Sequence, residues 1–377
     1  MFVHSQLQSM PLREGEVHDS SRRGKEAGLK DGFDEGYLRG RAKAIVEAAR
    51  LIFPKRSLNV LYVSSGKGYP YSPIDEAIIA TLHTLATEVS VVVPNQAVSE
   101  LAISTKPDLV LALDGMELPV EQIDAIRANG IRTAIWLTDD PYYTDMTARI
   151  APHYDYVFTL ERNCLDFYRS AGCANVYYLP FAAFVEHYRP TLTRSAVRRG
   201  ISFIGSAYWN RIQFLQPILG GLMDKGLNIN GIWWDRLPEY ASYPDRIEIG
   251  KWMGPGETAE VYSGSKIVLN LHRSPHDESV NNNTVGLTAA SPNPRTFEIS
   301  ACATLQLADI RDDLSNFYVP GQEIETFSSP SELYEKVNYY LTHETERREI
   351  ALRALERTYR EHTYSHRIHE MFSRIFG

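Results

Sequence analysis

From Leu58 onward the chain alternates short apolar runs with amphipathic stretches of helix length. The first series of runs is LNVLYVSS, EVSVVVP, DLVLALDG, RTAIWLTDD, DYVFTLE and NVYYLPF, separated by segments such as SPIDEAIIATLHTLA and ELPVEQIDAIRANG. Nearly continuous apolar runs predict parallel strands buried on both faces, and the helical periodicity between them predicts the covering helices. A break near FVEHYRPTLTRSAVRRG precedes a second series: ISFIGSAY, LNINGIWW, RIEIGKWM, KIVLNLHR and TLQLADI. Two doubly wound α/β sheets in succession imply two Rossmann-like domains, with the carboxyl ends of both strand sets facing one cleft.

The pattern divides the chain into a polar, aperiodic leader over residues 1–22, expected to be disordered, and a glycine-periodic helix over 23–53. A first Rossmann-like domain over 54–185, a second over 186–350 and a C-terminal capping helix over 351–377 follow. Gly24, Gly28, Gly32, Gly36 and Gly40 recur every four residues among helix formers. Each interior glycine costs a helix about 1 kcal/mol relative to alanine, and close approach of another backbone would offset that cost. The helix therefore predicts contact with a second copy or a partner chain; packing on its own domain, or a flexible extension, is the alternative. In the last helix His362, His366 and His369 look like a metal trio, and the reading preferred is a solvated or satisfied surface.

Composition narrows the function classes. With 377 residues and 44% apolar content there is material for two cores. The net charge of −8 argues against a nucleic-acid partner. No run approaches ~20 apolar residues and the N-terminus lacks a signal-peptide layout, so no membrane span is expected and a cytoplasmic location is. Cys164, Cys173 and Cys302 are too widely spaced for a metal site and fit a reducing compartment.

The candidate chemistry centres on PNPRTFEISACATLQLAD, residues 292–309. Glu298 stands at the head of a small-residue helix, where its two oxygens can accept from a sugar-like diol while helix amides and Arg295 hold a diphosphate. The plainer reading is that Glu298 favours the positive end of its helix. Gly205 and Ser206, after the first strand of the second domain, permit close approach to phosphate. Arg211, His272, Arg273 and Asn293 complete the donor candidates, with a surface ion pair as the alternative for Arg211. Trp234 and Trp252, at strand ends, could shelter a nucleobase, though core packing competes for at least two of Trp233, Trp234 and Trp252. On the opposite domain Asp139 and Asp140 precede Pro141; the proline makes Asp140 a helix N-cap and leaves Asp139 as the freer carboxylate and candidate base. A structural turn is the alternative. Gly66 and Gly68 in SSGKGYPYSP could line the acceptor side.

Read together, ISFIGSAYWNR, GKWMGPGETAEVYSGSKIVLNLHR, NPRTFEISACATLQLADIRDDLSNFYVPGQEIETF and YREHTYSHR resemble the CgeB-like family, a spore-maturation branch of the group 1 glycosyltransferases. The likeness runs through residues 58–377 and is strongest after Ile201. It implies the GT-B fold, a nucleotide-sugar donor of the UDP type, a glycan or protein hydroxyl as acceptor, and neither metal nor other cofactor. Glu298 matches the second acid of the family's paired-glutamate motif, the one that holds the donor ribose. The first acid's position is Ala290, so the sugar must be read by other groups in the loop 274–293. Where the family often has glycine this chain has Ala303. The missing acid keeps one alternative in view, a GT-B scaffold of weak activity; a sugar-nucleotide epimerase or hydrolase is another. A simple two-domain nucleotide-binding module is a further one.

Overall fold

The computed structural model describes residues 14–194 and 197–377. The chain divides into two units at the Ala48/Ala49 boundary. The described residues of the first all belong to helix α1, Glu14–Ala49, of 36 residues, whose last residue falls in the second unit. The helix expected over 23–53 thus starts earlier and stops sooner, and residues 1–13 of the expected leader lie outside the described residues. A Cβ built at Gly28, Gly32, Gly36 or Gly40 meets open space. Leu29, Phe33 and Tyr37, each following one of these glycines, are exposed.

In the second unit strands and helices alternate as the apolar runs predict. The first series is β1 (Arg56–Val63), α2 (Ser72–Leu85), β2 (Ala86–Val92), α3 (Val98–Thr105), β3 (Leu109–Leu113) and α4 (Val120–Ala128). It continues with β4 (Arg132–Trp136), α5 (Thr144–Ile150), β5 (Tyr156–Thr159), α6 (Leu165–Ser170) and β6 (Asn175–Tyr178). All six strands pair in parallel in the order β2-β1-β3-β4-β5-β6. Every residue of β3 is buried, which is why this strand reads as an unbroken apolar run.

The second series is β7 (Arg199–Ile204), α7 (Trp209–Leu215), α8 (Leu219–Asp224), β8 (Leu227–Gly231), β9 (Ile247–Ile249) and α9 (Pro255–Gly264). β10 (Ser265–Asn270), α10 (Pro294–Ala301), β11 (Leu305–Asp309), β12 (Glu325–Phe327) and α11 (Pro330–Thr342) follow. These strands form a second parallel sheet ordered β12-β11-β10-β7-β8-β9. The strand order reverses between β1 and β3 in one sheet and between β7 and β10 in the other, the crevices where doubly wound sheets take ligands. This is the GT-B architecture expected from the motifs.

The chain then returns to the first domain. Helix α12 (Glu344–Glu361) packs on α10 and α11, and after a break at His362 and Thr363 helix α13 (Tyr364–Phe376) packs on α2. Ile368, Met371, Phe372 and Ile375 of α13 join Trp136 and Phe158 in the core of the first sheet. The three tail histidines are packed rather than solvated. His362 is buried and its Nε2 meets the Phe317 carbonyl at 3.0 Å; His366 Nδ1 bonds Thr363 Oγ1 at 2.8 Å; His369 stacks on Phe53. Burial lowers the pKa of His362 and pushes that of His366 down to about 4. Among the described residues no cluster of three or more His, Cys, Asp or Glu could hold a metal ion, and no helix is long and apolar enough to cross a membrane.

Candidate active site

The carboxyl ends of both sheets enclose a cleft of about 310 Å³. Asp139 lines it from the first domain, and Gly205, Ser206, Arg211, Trp252, His272, Arg273, Asn293, Arg295 and Glu298 line it from the second. The fold brings these expected residues together around one cavity.

Trp234 is the exception. It is fully buried in the second core, and its indole Nε1 donates to the Gly205 carbonyl at 2.8 Å, so it fixes the glycine turn and has no face for a base. The turn is tight for a second reason: a Cβ at Gly231 would stand 2.1 Å from the Gly205 carbonyl oxygen. Trp252, 45% exposed in the loop after β9, does offer a face.

Helix α10 begins at Pro294, capped by Asn293, whose Oδ1 accepts from the Thr296 N–H at 3.2 Å. Proline at the first position and asparagine at the cap are why the chain turns helical here. Glu298 lies beyond the first turn, which contains no acidic residue, so attraction to the positive helix end does not account for it. Its carboxyl faces the cleft beside Arg295 and Tyr188, and burial pushes its pKa up to about 7 although Arg295 pulls it down.

Arg211 is buried rather than paired on a helix surface. Its Nε donates to the Leu271 carbonyl at 2.9 Å and its guanidinium to the Ser206 carbonyl at 2.8 Å, over the rings of Tyr208 and Phe203. Burial, then the charge of Arg295, lowers its pKa to about 10. A buried cation held by carbonyls is strongly attracted to an incoming anion. Arg273 lies over Tyr142 and Tyr208 at 4.4 and 4.7 Å, and its buried Nε has no hydrogen-bond partner.

His272 is a support, not a donor contact. Its Nδ1 bonds Asp309 at 2.5 Å and its Nε2 accepts from the Asn293 N–H at 3.0 Å, so both ring nitrogens are engaged in placing the start of α10. Burial lowers the His272 pKa. Burial works the other way on Asp309, but His272 and Arg311 hold it down to about 2.

Across the cleft, both hydrogen bonds to Asp139 fall on Oδ2, from Tyr71 OH at 2.8 Å and Thr138 Oγ1 at 3.0 Å. Burial raises its pKa against those two bonds. Asp140 is not a helix cap: it is buried, accepts from Thr159 and Tyr168 hydroxyls at 2.6 Å each, and α5 starts only at Thr144. Burial lifts its pKa to about 7. Tyr69, Pro70 and Tyr71 line the cleft in place of Gly66 and Gly68.

Sequence reasoning passed over Tyr71, Tyr188, Asn230 and Glu161, all in the lining. Asn230 is buried at the end of β8; its Nδ2 is given to Glu248, and its Oδ1 has no partner. Glu161, just past β5, bore a legible signal, an acid at the cleft end of a parallel strand. The tyrosines carried none.

The model of the Glycosyl transferase-like family matches residues 211–373. Spore protein CgeB of Bacillus subtilis (strain 168) is 28% identical over 297 residues, 78% of this chain and 91% of the relative. Among solved structures, Anabaena Alr3699/HepE in complex with UDP superposes with a TM-score of 0.57 at 12% identity, over 84% of this chain and 99% of that one. AviGT4, a glycosyltransferase involved in avilamycin A biosynthesis, gives 0.57 at 13% identity, over 84% and 98%. Strand order and the solved structures agree on the GT-B fold, and over residues 211–373 the chain is similar to the Glycosyl transferase-like family.

Proposed function

We propose that the protein transfers a sugar from a UDP-sugar to a hydroxyl of a glycan or protein acceptor, without a metal ion. The observation that carries the reading is the meeting, in one cleft, of Glu298, Arg211, Arg273 and Arg295 on one side with Asp139 on the other. A nucleoside diphosphate leaves as an anion, and preorganised cations in a desolvated site are worth most where that charge develops. Arg211 and Arg273 take this role, with Arg295 and the start of α10 beside them. Glu298 accepts the two ribose hydroxyls. Asn230 Oδ1 suits the N3–H of uracil, Trp252 covers the base, and the UDP held by Alr3699/HepE in the same fold supports the choice. Asp139, oriented through Oδ2 by Tyr71 and Thr138, takes the acceptor proton or orients the hydroxyl.

The domain over 54–185 would receive the acceptor and that over 186–350 the donor, in the cytoplasm. The likeness to CgeB supports a role in spore or cell-surface maturation. The exposed row of Leu29, Phe33 and Tyr37 beside open glycines supports a second chain docking along α1. Alanine at 290 favours one rival, a protein that binds donor but does not turn it over. Incubation with a panel of UDP-sugars, with and without glycan and peptide acceptors, decides between them. Acceptor-dependent UDP release supports transfer; release at the same rate without acceptor indicates a hydrolase, and binding without release a scaffold.

A further inference from the structure

Glu161 comes from the first domain, and its carboxylate sits against the peptide that carries Ala290. It is 1% exposed and accepts from the peptide N–H groups of Asn163 at 2.9 Å, Ala290 at 3.1 and 3.2 Å, and Ser291 at 3.0 Å. Its neighbours extend the grip. The Arg162 N–H donates to Ser291 Oγ at 3.0 Å, and Asn163 Nδ2 to the Thr288 carbonyl at 3.1 Å. The Ala290 carbonyl accepts from the Asp313 N–H at 3.1 Å, and Asp313 is itself paired with Arg162 at 3.0 Å. Ala290 is therefore held at both ends of its backbone.

Each half of this contact needs the other. A buried carboxylate without partners is strongly destabilising, and adjacent peptide N–H groups cut off from water are destabilising too. Arg311 fastens the same loop from below, donating to the carbonyls of Ala289 and Arg273. Residues 288–291 lead directly into Asn293 and α10, so the first domain cannot shift against the donor residues without breaking the Glu161 bonds.

We infer that Glu161 is a positioning residue for transfer: it fixes the Ala290 and Ser291 amides from the opposite domain and so sets Asn293, Arg295 and Glu298 in register with Asp139. An acid at 290 would act from the donor loop itself. Here a carboxylate of the first domain holds the amide of residue 290 instead, which ties donor geometry to the way the two domains meet. The inference rests on the transferase reading, and its test includes a readout that needs no turnover.

The test compares E161Q and E161A with the wild type. Gln keeps the size but turns one acceptor oxygen into an NH2 facing N–H donors. Both variants should keep UDP affinity within about twofold, since Arg211, Arg295 and Glu298 stay together on the second domain and only their register with Asp139 is loosened, and lose about 10- to 100-fold in transfer kcat, the scale of a slightly misplaced reacting pair. The share of donor lost to water should rise as closure loosens. Hydrogen exchange of Ala290 and Ser291, read in the UDP complex, should quicken about tenfold or more. Folded variants with wild-type kcat, partition and exchange overturn the inference, as does a lowered melting temperature with unchanged kcat and partition, which marks a contact of the fold alone. If the wild type consumes no donor, the transferase reading fails, and unchanged exchange in both variants then overturns the contact as well.

Discussion

Replacing Glu298 with glutamine should abolish a pH dependence of donor binding that the site imposes on the wild type. Burial holds the free carboxyl at about 7, above its ordinary 4.5, and two ribose hydroxyls can both donate only to the ionised form. The apparent dissociation constant then scales as 1 + 10^(7 − pH). That factor is about 11 at pH 6 and about 1.1 at pH 8, so binding should weaken about tenfold as pH falls across this interval. The stability of the free protein should move the opposite way. A carboxyl raised on folding contributes stability below its unfolded value, and the contribution is lost as pH rises through about 7. Calorimetric titration with UDP-glucose from pH 6 to 8 reads the first trend, because its diphosphate does not titrate there; thermal melts of the free protein read the second. Glutamine should flatten the binding profile, and Glu298→Ala should weaken affinity by about 1.5–3 kcal/mol, the range for hydrogen bonds to a charged group. A wild-type affinity that is flat with pH and unchanged by either substitution would refute the ribose assignment.

Asp139→Asn should cut turnover strongly while UDP affinity stays near wild type, whereas a variant with full turnover would move the base elsewhere. Ala303 sits at φ 57, where a Cβ is disfavoured by about 1–2 kcal/mol; glycine pays part of this back in unfolded-state entropy, so Ala303→Gly should stabilise by about 0.5–1 kcal/mol in urea melts, and a loss of stability would contradict the strain. Deleting residues 1–44, or replacing Gly32 and Gly36 with leucine, should lower the number of chains per particle read by light scattering and leave UDP affinity intact; the same number of chains in all three proteins would end the docking proposal.

Both sheets were legible because parallel strands buried on both faces leave unbroken apolar runs, as in DLVLALDG and KIVLNLHR. The cleft lining from the second domain was legible because its residues follow strand ends or open α10, and a strand end in a doubly wound sheet already specifies the cleft. What failed depended on partners distant in the chain. Trp234 stands at a strand end like Trp252 but turns inward to the Gly205 carbonyl. Asp140 and Pro141 have the composition of a cap, yet Asp140 is taken by Thr159 and Tyr168. His272 looks like a ligand-facing group until Asp309 and Asn293 use both its nitrogens. Glu161 meets amides 129 and 130 residues away, a pairing that no local pattern encodes.

The central claim is that this cleft is a metal-independent UDP site, and calorimetric titration of UDP, CDP, ADP and GDP in excess chelator tests it most directly. The account predicts one UDP site per chain, tighter than the other three nucleotides and weakened by Glu298→Ala and by Arg211→Ala. Binding that needs added manganese or magnesium, or binding of none of the four, would contradict it.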